Sequence, residues 1–147
     1  MKQKAGILIL IISMIWMLHT FSKNFMVDPQ FEKFISKKDR ILTDYNLWIS
    51  MIRIHILLAI ISLITGPLGV IKAIRNKSRN FHRWNGRIYV LSIILNFIPG
   101  VYVSFFATGG LPNIIGFLIL NTLWLTTTIL GFWYIIRQKV MLHSQWI

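Results

Sequence analysis

Few side chains in this 147-residue sequence can ligate a metal or move a proton near neutral pH. There are four histidines, His19, His55, His82 and His143, and four carboxylates, Asp28, Glu32, Asp39 and Asp44. Cysteine is absent, which excludes disulfides, thiolate metal sites and thiol redox chemistry. Two imidazoles at one height can hold haem iron as axial ligands, with neighbouring guanidiniums paired to the propionates. Copper or zinc is the other chemistry that imidazole suits. Two histidines are few for zinc, and no carboxylate follows Asp44 to complete its shell. The same gap removes a paired-carboxylate hydrolase, a carboxylate-based proton pump and the usual oxygen site for a hard cation from the rest of the chain. No GxSxG, P-loop or GxGxxG motif is present.

The elements that must position these histidines are membrane spans. The chain is 55% hydrophobic and only 14% charged, where an ordinary soluble domain has about a quarter of its residues charged. Four apolar runs, about 5–21, 54–74, 88–107 and 113–136, are long enough to cross a bilayer. Hydrocarbon offers backbone groups no partner, so each run is expected to be a helix. The fold class that follows is all-α, an integral membrane four-helix bundle forming a single domain over 1–147.

The formal charge of +12 is carried in short clusters between apolar runs, which points to anionic lipid headgroups and away from nucleic acid. Loop two carries Lys72, Arg75, Lys77, Arg79, Arg83 and Arg87 with no acid. Lys2 and Lys4 precede the first span, Arg137 and Lys139 follow the last, and TGGLPN between spans three and four is uncharged. Counting Lys and Arg on the short loops gives an N-in, C-in, multi-pass topology in the cell membrane. The first span also resembles a signal peptide, but no small-x-small cleavage site follows, so it is read as an uncleaved anchor.

That topology sorts the histidines by height. His19 and His55 belong to the outer ends of their spans. His82 stands six residues before the third run and His143 seven after the fourth, each roughly 10 Å beyond the hydrocarbon if its helix continues at 1.5 Å per residue. A single three-histidine site is impossible, and two sites of two histidines are the alternative. Positions 55, 59, 62 and 66 read His, Ala, Ser and Gly on one helical face, which should turn His55 into the bundle against a close neighbour. His19, on a face with Ile12, Ile15 and Trp16, reads as an interfacial residue only.

Other features read as architecture. Gly66-Pro67 and Pro99-Gly100 are expected to kink the second and third spans. Asn96 and Asn121 are expected to bond across helices, and Thr126, Thr127 and Thr128 to bond their own backbone. In loop one, Asp28 with Pro29 is expected to start an amphipathic helix over about 28–46, with Phe31, Phe34, Ile35, Ile41, Leu42 and Tyr45 on one face and Lys33, Lys37, Lys38 and Arg40 between them. An ordinary exposed linker helix fits the same spacing.

The segments HILLAIISLITGPLG, FHRWNGRIYVLSI and LWLTTTILGFWYIIRQKVMLHSQW resemble the bacterial predicted membrane proteins called domain of unknown function 2306, over residues 55–147. The correspondence runs through His55, Gly66 and Pro67, then His82, Arg83, Trp84, Gly86, Arg87 and Tyr89, then Trp124, Thr127, His143 and Trp146. Gly69 stands where the family often has glutamine, and the sequence stops at Ile147 where the family usually continues into a basic segment and a further helix, so the resemblance implies either a C-terminally shortened member or a truncated gene product. The resemblance implies a helical membrane fold and supplies no activity.

Two functions follow. In one, the protein holds haem b, or copper as second choice, with His82 and His143 as metal ligands at the inner face, His55 at the outer face, and Arg83 and Arg87 on the propionates. In the other, a non-catalytic membrane protein stabilises a complex or senses the envelope, and loop two binds anionic lipid.

Overall fold

The computed structural model describes residues 2–38, 41, 42 and 44–143. These form helices, turns and connecting loops, with no strand among the described residues. The helices are α1 (Lys2–Phe21), α2 (Glu32–Ile35), α3 (Tyr45–Val70), α4 (Lys72–Lys77), α5 (Arg79–Ser104), α6 (Gly110–Ile136) and α7 (Val140–His143). A π-helical turn, Ser22–Val27, prolongs α1. Four helices are long and apolar enough to span a membrane: Gly6–Val27, Tyr45–Val70, Arg79–Ser104 and Gly110–Ile136. The all-α, four-span architecture expected from the hydropathy is therefore the one observed.

The helices overrun the apolar runs, α3 by nine residues at its start and α5 by nine. The polar ends carry their own start signals. Asp44 Oδ1 accepts from the Leu47 N–H at 3.0 Å, and Ser78 Oγ accepts from the Phe81 N–H at 3.2 Å. Each side chain satisfies a donor that the first helical turn leaves without a partner. Hydropathy alone cannot see such turns, because they lie in the interface.

The spans pack in chain order, α1 on α3, α3 on α5 and α5 on α6, with α3–α5 the largest contact. Gly6 at the start of α1 lies beside Ile71 at the end of α3. This places the start of α1, the α3–α5 connection and the end of α6 at one end of the bundle, here called the basic end. Loop one and the α5–α6 loop close the other, the capped end.

Small residues set the close approaches. A Cβ on Gly66 would stand 3.1 Å from the Tyr89 ring, and one on Gly100 would stand 2.7 Å from Asn121 Oδ1 and 3.2 Å from His55 Nδ1. Ser62 and Ser92 exchange a buried hydrogen bond of 2.8 Å between α3 and α5. α3 and α5 are assigned as continuous helices through Pro67 and Pro99, so the glycine beside each proline marks a contact between helices.

Loop one corrects the expectation of a long amphipathic helix over 28–46. Among the described residues between Asp28 and Asp44 only α2, four residues, is helical, and Asp39, Arg40 and Thr43 lie outside the described residues. Asp28 does serve this helix, its carboxylate oxygens accepting from the Glu32 and Lys33 N–H groups at 2.8 and 3.0 Å. The residue before the helix, however, is Phe31 in a left-handed conformation (φ 57°). An aromatic residue there costs about 1–2 kcal/mol. The ring is buried edge-on against the equally buried Trp48, 5.8 Å between centroids, in a cluster with Ile49, Ile52 and Ile56. Tertiary packing thus overrode helical spacing, and the described part of loop one, with α2 and Phe31, is a folded cap. Lys38 donates to the Phe106 carbonyl and lies 4.8 and 4.9 Å from the ring centroids of Phe34 and Trp48, tying the cap to the loop between α5 and α6.

Candidate functional site

The basic end contains a cleft of about 440 Å³ lined by Arg75, Asn76, Arg79, His82 and Arg83. It exists because α4 stops at Lys77 and Ser78, extended at φ −149° and ψ 104°, restarts the chain as α5. The break folds Arg75 and Asn76 against the first turns of α5. On α5 itself, Arg79 and Arg83 are one turn apart, and His82 fills the adjacent position. The positive end of a 26-residue helix faces the same region. No Asp or Glu occurs after Asp44, so nothing from the sequence around the cleft neutralises its three guanidiniums. Such an arrangement can bind an anion through charge-assisted, bidentate hydrogen bonds.

Beside the cleft, Phe81 and Trp84 are 47% and 63% exposed. They stand one turn (Trp84) and two turns (Phe81) before the apolar run, where exposed aromatic rings suit a headgroup-level belt. The Arg87 guanidinium stacks over Trp84, 5.1 Å from the ring centroid. Of the two arginines expected to share one ligand, then, Arg83 lines the cleft and Arg87 stands outside its lining.

His143 is placed differently from expectation. α6 ends at Ile136, Gln138 adopts φ 58°, and α7 folds back along α6. His143 Nδ1 comes to 2.7 Å from the Gly131 carbonyl oxygen. It therefore sits beside the last turns of α6, and not 10 Å beyond them, because the helix does not continue. Tyr89 on α5 accepts a hydrogen bond from Trp124 Nε1 on α6 at 3.1 Å. Seven residues toward the basic end from each lie His82 and Gly131, so the antiparallel helices bring His82 and His143 to one level. His143 and Arg75 both lie close enough to His82 for a charge on either to be felt there. His82 Nδ1 is buried without a hydrogen-bond partner. Trp146, the last aromatic of the C-terminal motif, lies outside the described residues.

His55 is at the opposite end, turned into the bundle as its face of small residues implies. It borders Gly100 on α5 and approaches Asn96, yet neither His55 Nδ1 nor Asn96 Oδ1 makes a well-formed hydrogen bond. Asn121 bonds across helices as expected, donating to Ser104 Oγ at 3.1 Å. Thr126 and Thr127 donate to their own helix at Thr122 and Leu123. His19 is exposed on α1 near Trp16. No group of three or more His, Asp or Glu side chains suited to a metal occurs among the described residues.

Sequence reading singled out Arg83 and His82 but not Arg75, Asn76 or Arg79 as site residues. The signal was present: arginine at 75, 79 and 83 repeats every four residues, with His82 next to the last. What periodicity did not reveal is the break at Ser78 that turns a stripe into a cleft.

Three motif segments meet in one place. Gly66 stands near the end of α3, Tyr89 belongs to the segment beginning FHRW, and Trp124 opens the threonine-rich stretch of α6. The Tyr89 ring packs on Gly66 while its hydroxyl accepts from Trp124. Residues 52–147, about two thirds of the chain, match the family described as predicted membrane protein, DUF2306. Nothing matches among curated proteins or among solved structures.

Proposed function

We propose a function for a chain that belongs to the DUF2306 family of predicted membrane proteins: it is a multi-pass protein whose basic end holds the headgroup of an anionic phospholipid. The observation that carries this reading is the cleft lined by Arg75, Asn76, Arg79, His82 and Arg83. Its height fits. From Ile88, where the apolar run begins, Arg83 is roughly 7 Å and Arg79 roughly 13 Å down the helix axis at 1.5 Å per residue. Headgroups occupy about 5–7 Å on each side of the hydrocarbon, so the cleft begins at their outer edge, with Arg83 level with that edge and Arg79 about 6 Å further out. The basic end is cytoplasmic in this proposal, where anionic lipid and the Lys/Arg bias coincide. Binding there would steady the α4–α5 corner, and through α7 the end of α6, against lipid or a partner subunit.

The haem reading draws nothing specific from this geometry. His82 faces a polar, arginine-lined cleft, and His55 is at the other end of the bundle.

A thermal-shift titration of detergent-purified protein tests the proposal. Phosphatidylglycerol should raise the melting temperature and phosphatidylcholine should not, because only a ligand that prefers the folded state stabilises it. Arg75→Gln, Arg79→Gln and Arg83→Gln together should abolish the difference. An equal response to both lipids would remove the proposal.

A further inference from the structure

Resting on the lipid reading above, we infer that the cleft is built for a phosphate monoester headgroup, a doubly charged terminal phosphate, in preference to a singly charged phosphodiester. Three guanidiniums converge on one cavity, Arg75 from α4 and Arg79 and Arg83 from α5, with the Asn76 amide and the His82 ring completing the lining. A guanidinium engages two oxygens at once. A diester offers two non-bridging oxygens and one charge, and a single guanidinium fork already engages both oxygens and balances that charge. A monoester offers three oxygens and nearly two charges, and so gives the second and third guanidiniums something to bind. With no Asp or Glu in residues 45–147, a second negative charge is discharged against cations that nothing in that sequence neutralises.

The cavity accepts an unsubstituted phosphate. Its volume of about 440 Å³ opens at the basic end of the bundle, while Phe81 and Trp84 lie exposed beside it, where interfacial aromatic rings meet lipid headgroups. Those two rings favour a lipid over a free phosphate as the source of the group.

The pH dependence separates ligand from protein. The ionisable groups around a bound phosphate are Arg75 on α4, Arg79, His82 and Arg83 on α5, and His143 on α7 beside His82. A guanidinium keeps its charge throughout the accessible range. Protonating an imidazole adds positive charge, so the protein alone would bind any anion more tightly as the pH falls. A phosphate monoester gains its second charge as the pH rises through about 6. Binding that strengthens from pH 5 to pH 8 therefore reports the ligand.

The experiment is native mass spectrometry of the full chain in detergent. Equimolar phosphatidate, phosphatidylglycerol and phosphatidylcholine are added at pH 5 and at pH 8, with and without inorganic phosphate. At pH 8 the phosphatidate adduct should exceed the phosphatidylglycerol adduct about fivefold, the effect of one extra charge pair at a membrane surface. At pH 5 the ratio should approach one. Arg79→Lys keeps the charge but loses the fork, and should lower the ratio at pH 8 while preserving the fold. Lys77→Gln removes a loop-two charge outside the cleft lining and should leave it unchanged. Equal phosphatidate and phosphatidylglycerol at both pH values would overturn the monoester inference and leave the anionic-lipid reading standing. Anionic adducts no stronger than phosphatidylcholine would overturn both. Full displacement of phosphatidate by equimolar inorganic phosphate would overturn the lipid as the source.

Discussion

At the residue scale, close approach decides which positions tolerate change. Gly100 has no room for a methyl group, since its Cβ would meet Asn121 Oδ1 at 2.7 Å and His55 Nδ1 at 3.2 Å. Gly100→Ala should destabilise by about 1–3 kcal/mol, the usual cost of overpacking. Gly116→Ala, with nothing within 4 Å of its Cβ, should be neutral or stabilising by up to about 1 kcal/mol through helix propensity. Thermal denaturation of both variants in one detergent checks the contrast. The Tyr89–Trp124 bond should be worth little by itself: a double-mutant cycle with Tyr89→Phe and Trp124→Phe should return about 0.6 kcal/mol, typical of membrane interiors. Tyr89 also fills the space above Gly66, so truncating its ring should cost more than removing its hydroxyl. Part of this was legible in the sequence. The run of His55, Ala59, Ser62 and Gly66 announced a close helix contact. That the neighbour would be the Tyr89 ring was not, because the partner of a small residue carries no signature at a distance of 23 positions.

At the scale of elements, apolar length located the spans and missed their ends. Asp44 and Ser78 prolong α3 and α5 into the polar layer by capping, a local hydrogen bond that hydropathy does not register. Loop one shows the opposite lesson. Its apolar residues recur at helical spacing, but Phe31 breaks the register by entering the left-handed region and burying itself against Trp48. Phe31→Ala should remove roughly 3–5 kcal/mol from the cap. Because the loss is local, it should show as faster amide hydrogen exchange in residues 28–38 while exchange in mid-α5 is unchanged. α7 is a similar case. Seven residues past the last apolar run, His143 invited an extrapolation along a straight helix; the left-handed Gln138 reverses the chain instead.

On the scale of the whole molecule, charge asymmetry becomes a statement about orientation and function. The chain has no acid after Asp44, six basic residues in loop two and an uncharged connection between α5 and α6. The proposal that the basic end is cytoplasmic can be read from single introduced cysteines, since the native sequence has none. Thr108→Cys in intact cells should react with a membrane-impermeant maleimide, and Asn80→Cys should react only after permeabilisation. The composition made a multi-pass membrane architecture readable from the start. The cleft itself was not readable, because it depends on how Ser78 folds Arg75 and Asn76 back toward Arg79 and Arg83.

The most direct test of the central claim is the phospholipid that stays with the protein through detergent purification. It would be extracted and quantified by headgroup for the native chain and for the Arg75→Gln, Arg79→Gln, Arg83→Gln variant at equal yield and equal helix content. The account predicts anionic phospholipid enriched over its share of the membrane with the native protein, and at that share with the variant. The same headgroup composition in both preparations would contradict it.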